Sequence, residues 1–177
     1  MIKMEKKTEG TLQIVFSLGI VVLVLYFSKE ITSLGDLGYL GAFLIALFSS
    51  ATIIFPAPGW AVIAAMSVSF DPVLLGIAAG VGSAIGELSG FIAGDGVRDI
   101  INSRIKESKQ IEEIVRKYGV FAIGFFAFVP NPLFDIAGVI AGGLKIEWWK
   151  FLIACAVGRI LRYVLLAMAG QFTIGLI

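Results

Sequence analysis

Two long apolar runs of this chain are each broken by a Pro-x-Pro turn, at Pro56-Ala57-Pro58 and at Pro130-Asn131-Pro132. Proline has no backbone N–H and ends a helix, so each turn leaves carbonyl groups without helical partners. Hydrocarbon cannot satisfy these groups, and such a break is tolerated at membrane depth only where the backbone faces protein or water. Broken helices in corresponding halves of a membrane protein point to the binding site of a transporter. The sequence therefore predicts a duplicated membrane unit with a polar centre.

The composition assigns the chain to the membrane and argues against several classes of function. Hydrophobic residues make up 58% of the 177 residues and charged residues 15%, and the mean hydropathy is +0.96. A net charge of +1 gives no field that would attract nucleic acid. The single cysteine, Cys155, lies in an apolar run, and the chain has no histidine. We therefore expect an all-α integral membrane protein with no disulfide, metal site or cofactor.

Hydropathy divides the chain into four predicted parts. Residues 1–36 hold a basic tail and a retained transmembrane helix over 12–27. Residues 37–94 form a first repeat, and residues 95–117 form an amphipathic cytoplasmic linker helix. Residues 118–177 form a second repeat.

Each repeat is predicted to consist of a helical hairpin followed by a crossing helix. In the first repeat, residues 37–55 enter the membrane, residues 60–70 are too short to cross and return, and residues 73–94 cross. Because each hairpin returns to its starting side, the second repeat enters from the opposite face. This gives an inverted repeat with two re-entrant hairpins. The corresponding segments of the second repeat are 120–129, 133–144 and 147–170.

The basic residues predict the orientation of this topology. It places the N-terminus, the linker and the bend at 144–150 on one side, together with eleven of the fourteen Lys and Arg residues. The other side carries only Lys29, and Arg159 and Arg162 lie within the last helix. By the positive-inside rule, the N-terminus and the linker are cytoplasmic. We expect a multi-pass protein of the plasma membrane.

Glycines recur at four-residue spacing in the first crossing helix, at Gly82, Gly86, Gly90 and Gly94. A stripe of small residues lets the backbone of another helix approach closely. These positions are predicted to serve helix packing. The partner helix belongs either to the same chain or to a second copy in a homo-oligomer.

Four ionisable residues lie at predicted membrane depth: Glu87, Asp135, Arg159 and Arg162, with Asn131 at the second turn. Each charge costs about 2.5–3.5 kcal/mol at the centre of a membrane helix, so these residues need one another or water. Glu87 and Arg159 occupy matching positions in the two repeats and are predicted to face each other.

Two interpretations of these charges are open. In the first, Glu87 with Arg159 and Asp135 with Arg162 are ion pairs that only fix helix register. In the second they form a transport site, where a desolvated carboxylate carries a proton. An arginine there would bind phosphate, because the guanidinium matches phosphate geometry and stays charged. Anionic lipid headgroups are then the expected cargo.

The order and spacing of several short motifs resemble the DedA family, also called the VTT or SNARE-associated membrane proteins. The resemblance covers roughly residues 37–170. The motifs are the Pro-x-Pro-Gly ending at Gly59, the helix segment Gly82-Ser83-Ala84-Ile85-Gly86-Glu87, the basic linker, Phe128-Val129-Pro130, Ala137-Gly138 and Gly158-Arg159.

The resemblance implies an inverted-repeat fold with two re-entrant hairpins, and the movement of phospholipids or polyprenyl phosphates between leaflets, with proton coupling in some members. Glu87, Arg159 and Arg162 are the positions to which family roles carry over. The chain departs from the family pattern at Trp60, where an acid is common, and at Ala127 and Leu133, where arginines are common.

We therefore expect a lipid flippase or scramblase whose partners are membrane lipids, with a proton as a possible coupling ion. The alternative is a proton-coupled transporter of a small solute or ion on the same scaffold. A membrane enzyme acting on lipid phosphates is disfavoured, because the chain offers no activated nucleophile and no acidic cluster for two metals.

Overall fold

The computed structural model describes residues 36–51, 59–94, 107–130 and 133–174. Every regular element in this part of the chain is an α-helix, which confirms the predicted all-α class. Several predicted features lie outside the described residues. These are the helix over 12–27, the start of the linker, and Pro56, Pro58, Asn131 and Pro132 of the two breaks.

The helices are labelled in chain order, with the bounds α1 Asp36–Ala51, α2 Gly59–Met66, α3 Pro72–Gly86, α4 Glu107–Tyr118, α5 Val120–Phe128, α6 Leu133–Gly143 and α7 Trp148–Ile174. After a turn at Glu87, α3 continues through a further helical segment over 88–94.

Two helical stretches of the described part are long and apolar enough to cross a membrane. They are Pro72–Gly94, with 23 residues, and Trp148–Thr173, with 26 residues. At 1.5 Å per residue the shorter one spans about 35 Å, which exceeds the thickness of the hydrocarbon core. The 8 residues of α2 and the 11 residues of α6 are well below that length. These segments are therefore too short to cross alone.

Local sequence explains where these elements begin and end. Asp71 caps α3, since its Oδ1 accepts hydrogen bonds from the amides of Val73 (3.0 Å) and Leu74 (2.9 Å), and Pro72 occupies the first turn. Gly119, with a positive φ of 56°, separates α4 from α5. At the end of α5, Val129 is extended, as required of a residue that precedes a proline.

The crossing helices α3 and α7 pack directly on each other and run antiparallel. Gly76 lies against Val164, and Gly80 lies against Ile160, so the contacts move in opposite directions along the two helices. A side chain at either glycine would meet the backbone of α7. The missing side chains therefore allow the two backbones to approach closely.

Each crossing helix also packs against the first helix of its own half. Gly82 lies against Phe43 of α1 and Gly86 against Leu47, so α1 and α3 run parallel. In the second half, Gly158 of α7 lies against Gly124 of α5. The same type of contact therefore occurs in both halves.

The second helix of each half packs against the crossing helix of the other half. Gly170, near the end of α7, lies against Ala64 of α2. Gly142 of α6 lies against the backbone of Phe91, in the segment that continues α3. The two halves thus exchange equivalent contacts across the α3–α7 pair.

The glycines of the predicted stripe differ in how tightly they are packed. A Cβ at Gly82 would overlap the carbonyl oxygen of Phe43, and one at Gly94 would overlap the carbonyl oxygen of Val139. At Gly90 the nearest atom to such a Cβ is a methyl carbon of Val139, at 4.0 Å. The stripe therefore has close contacts to two different helices, α1 and α6, and one loose position.

Alanine at Gly82 is expected to destabilise the protein, whereas alanine at Gly90 is not. Overpacking costs about 1–3 kcal/mol, while a helical Gly→Ala change at an uncrowded position gains about 0.5–1 kcal/mol. Thermal unfolding of both variants in detergent micelles checks this. A Gly82→Ala variant as stable as Gly90→Ala would contradict the close α1–α3 contact.

The amphipathic helix α4 packs on protein through its apolar side. Ile111 and Val115 are buried in a cluster with Ala137 and Ile140 of α6.

One face of α7 is exposed and apolar, as expected of a helix side that faces lipid. Its exposed residues are Ile153, Val157, Leu161, Leu165, Met168 and Phe172.

Candidate functional site

A buried ion pair joins the two crossing helices. Arg159 of α7 donates a hydrogen bond from a terminal guanidinium nitrogen to Oε1 of Glu87. The two residues are only 7% and 6% exposed. Glu87 lies at the turn where α3 is interrupted. The predicted pairing of these two residues is therefore present in the structure.

The guanidinium of Arg159 has an aromatic and a polarisable neighbour. It lies over the ring of Phe134, the second residue of α6, with its central carbon 4.5 Å from the ring centroid. Cys155, one helical turn earlier on α7, is fully buried. The Nε of Arg159 is buried without a hydrogen-bond acceptor among the described residues. Within the described part of the chain, the pair thus leaves one guanidinium donor unsatisfied, which is costly away from water.

Serine hydroxyls tie the end of α1 to α3 close to this pair. The Oγ atoms of Ser50 and Ser83 are 2.7 Å apart. Ser89 donates to the carbonyl of Gly86 (2.9 Å) and lies 3.3 Å from the carbonyl of Ala51. These polar contacts hold the end of α1 next to the interruption of α3.

Arg162 lies on a cavity of about 730 Å³, and the described residues include no ion-pair partner for it. Arg162 is the one charged residue among the described residues that line this hollow, and it is half-buried. We call this hollow the Arg162 cavity. The other lining residues are Trp60, Phe128, Val129, Pro130, Leu165 and Leu166.

The Arg162 cavity is lined by residues that flank both proline breaks in the sequence. Trp60 is the second residue of α2, just after the first break, and Pro130 is the first proline of the second break. The cavity therefore combines a cation with an apolar and aromatic wall, which suits a ligand that carries both a charge and apolar surface.

Asp135 is placed differently from the other charged residues. It lies in the first turn of α6, and its side chain is exposed. In the part of the chain that the structure describes, no ion pair joins Asp135 to Arg162. The interpretation in which two ion pairs fix the helix register therefore holds for Glu87 with Arg159. It does not hold for Asp135 with Arg162, the second pair that it requires.

Sequence reasoning missed three aromatic residues at these sites. Trp60 and Phe128 line the Arg162 cavity, and Phe134 lies under the guanidinium of Arg159. Each lies within five residues of a proline break, and that proximity is the signal that could have identified them. No group of three metal-binding side chains occurs in the described ranges.

Comparison with known proteins agrees with this architecture. The chain matches the VTT domain over residues 56–172, about two thirds of its length. The match begins at the first proline break and includes both crossing helices and the Glu87–Arg159 pair. No solved structure matches.

Several curated membrane proteins share shorter stretches with the chain. A vacuole membrane protein 1 homolog of Dictyostelium discoideum is 38% identical over 52 residues, which is 29% of this chain and 13% of the relative. Human vacuole membrane protein 1 is 39% identical over 49 residues, 28% of this chain and 12% of the relative.

A longer match is to vacuole membrane protein KMS1 of Arabidopsis thaliana. It is 30% identical over 101 residues, which is 45% of this chain and 24% of the relative. The matched segments thus span a quarter or less of these relatives. Because the VTT match covers well over half of the chain, this membrane protein belongs to the VTT domain family.

Proposed function

We propose that this protein moves phosphate-bearing lipids between the two leaflets of its membrane, with Arg162 as the cation that meets the lipid phosphate. The observation that carries the proposal is the Arg162 cavity, which is lined by residues that flank both proline breaks in the sequence. A cation that lacks an ion pair among the described residues is costly at membrane depth unless water or an anionic ligand reaches it. A guanidinium binds phosphate bidentately, and the apolar walls suit the lipid backbone and chains.

The packing of the two halves supports an inverted repeat for this scaffold. Antiparallel α3 and α7, parallel contacts of α1 with α3 and of α5 with α7, and crossed contacts of α2 and α6 all agree with a pseudo-twofold axis. The shortness of α2 and α6 supports hairpins that enter and return. Two opposed hairpins provide a cavity that can open to one leaflet at a time.

We propose that the two halves move relative to each other at the Glu87–Arg159 pair. One core cluster contains Ala79 and Tyr163, and a second contains Ala84 and Cys155. On α7, Arg159 lies between Cys155 of the second cluster and Tyr163 of the first. A shift of one cluster against the other would strain this contact first, since an ion pair has little tolerance for displacement.

Proton coupling, orientation and location remain parts of the proposal. Glu87 and Asp135 are the carboxylates available to carry a proton, one paired with Arg159 and one exposed. The N-terminus and the linker are proposed to be cytoplasmic. The relatives are named as vacuole membrane proteins, and the plasma membrane stays a prediction for this chain.

Reconstitution in liposomes tests the proposal. Vesicles carrying a phospholipid labelled on its headgroup are treated with a membrane-impermeant reductant. With the protein present, the label of both leaflets is expected to be destroyed, because inner-leaflet lipid reaches the outside. Loss of the outer-leaflet label alone would overturn the proposal.

A small-solute transporter is the second candidate, because a cavity of about 730 Å³ is also of the size that holds small ligands. It would be favoured if a pH gradient drove uptake of a soluble anion into the same vesicles while the labelled lipid stayed in its leaflet.

A further inference from the structure

A second hollow lies on the outer surface between α5 and α7, with a volume of about 470 Å³. Gly124 and Gly158 form part of its floor, where the backbones of the two helices approach closely because these residues have no side chains. Phe125 of α5 and Ile153 and Val157 of α7 are more than half exposed and form part of its walls. We call this hollow the α5–α7 groove. It is shaped like a slot along two helices rather than a closed pocket.

One end of the α5–α7 groove carries an ordered polar cluster. Lys150 lines the groove, and its Nζ lies 2.5 Å from Oε1 of Glu147. Trp149 donates from Nε1 to the other carboxylate oxygen of Glu147 at 2.8 Å, and Lys150 lies 5.3 Å from its ring centroid. The hydrogen bond from Lys150 and, to a lesser extent, the hydrogen bond from Trp149 keep the pKa of Glu147 below its usual value. The groove end therefore presents a cation and an anion side by side.

The other end of the α5–α7 groove meets the Arg162 cavity. Phe128 lines both hollows, and Leu161 at the groove end is one residue before Arg162. From Lys150 to Leu161 the groove follows α7 for 11 residue steps, about 17 Å at 1.5 Å per residue. Phe128 thus borders both the surface groove and the site proposed for the lipid phosphate.

We propose that the α5–α7 groove binds one acyl chain of a phospholipid whose headgroup lies at Lys150 and Glu147, and that it delivers this lipid past Phe128 to the Arg162 cavity. This rests on the proposed function, because delivery has meaning only if the cavity moves lipid. Tryptophan and lysine at the end of a crossing helix are the residues that meet headgroups, while the slot beyond them lies at acyl-chain depth.

The charges at the groove end select the class of headgroup. A phosphate alone would meet Lys150 but would be repelled by Glu147, whose carboxylate lies beside it. A headgroup with a phosphate and a primary ammonium group can satisfy both residues. The occupant is therefore a phosphoethanolamine lipid rather than a purely anionic one.

Photolabelling in phosphatidylglycerol vesicles tests this assignment. The probes are phosphatidylethanolamine and phosphatidylglycerol, each with a photoactivatable group in one acyl chain. We expect the phosphatidylethanolamine probe to label Phe121, Phe125 and Val157 more strongly than Met168 and Phe172. Equal labelling along α7, or equal labelling by the two probes, would overturn the assignment.

A groove-filling variant makes the test specific. Ile153→Trp places an indole in the groove, while Met168→Trp makes the same type of change on the lipid-facing side of α7 outside it; the two residues are 56% and 50% exposed. Labelling is expected to fall about tenfold in Ile153→Trp only, which corresponds to about 1.4 kcal/mol.

Two further readouts separate the parts of the proposal. If Ile153→Trp moves labelled lipid at the wild-type rate, the delivery role is wrong even where the groove binds lipid. If the wild-type protein moves no lipid, the proposed function fails, while the labelling pattern still decides whether the groove is a lipid site. Phe125→Cys that forms disulfides between copies would overturn the proposal, because the face would then be an interface between two chains.

Discussion

Replacing Arg159 with methionine is expected to lower the free energy of unfolding by about 3–5 kcal/mol, since removing one partner of a buried ion pair leaves an uncompensated charge. That charge is the carboxylate of Glu87, which is 6% exposed and receives its hydrogen bond from Arg159. Methionine replaces the aliphatic part of the arginine side chain but not the guanidinium that lies over Phe134. Denaturation of the purified protein in detergent micelles measures the effect.

Two variants make this prediction specific. Arg116→Met removes an arginine whose side chain is 57% exposed from its pair with Glu112, and we expect a change below about 1 kcal/mol. The double variant Glu87→Gln with Arg159→Met removes both buried charges and is expected to recover most of the lost stability. If Arg159→Met were no more harmful than Arg116→Met, the pair would not hold α3 and α7 together.

Replacing Arg162 with glutamine is expected to slow lipid movement by about 10- to 100-fold, because a hydrogen bond to a charged group contributes about 1.5–3 kcal/mol. The fold is expected to remain intact, since Arg162 is half-buried on a cavity and makes no ion pair within the described residues. The initial rate of label loss in reconstituted vesicles measures the effect, with unfolding in micelles as the check on stability.

The controls for Arg162 separate charge from geometry. Arg162→Lys keeps the charge but loses bidentate contact, so an intermediate rate is expected. Arg116→Gln changes the same residue type on the surface of α4 and is expected to keep the wild-type rate. Equal rates for Arg162→Gln and Arg116→Gln would remove Arg162 from the transport site.

The amino-acid sequence predicts the broad architecture well where the pattern is long. The two long apolar helices are present, and a short helix, α2 or α6, follows each proline break in the sequence, with shifted ends; the helix in the segment predicted over 60–70, for example, ends at Met66. Helix ends depend on local capping, such as Asp71 before α3, and on packing that the apolar pattern does not encode.

The candidate site was predictable only in part. Glu87 and Arg159 could be matched because each follows a glycine at an equivalent place in its repeat. Asp135 could not be placed, because its direction depends on how α6 packs against the end of α3 and against α4. The glycines indicated close packing but not its partner, since Gly76 and Gly80 face α7 while Gly82 and Gly86 face α1.

The claim on which the account depends is that the Arg162 cavity is open to water or headgroups at membrane depth. Cysteine accessibility measures this directly in vesicles, since the native Cys155 is fully buried. Leu166 lines the cavity, whereas Met168, two residues later, lies on the open apolar face of α7. The account predicts that a membrane-impermeant thiol reagent modifies Leu166→Cys and leaves Met168→Cys unmodified. If both cysteines stay unmodified from either side of the membrane, the cavity is dry and the transport account is contradicted.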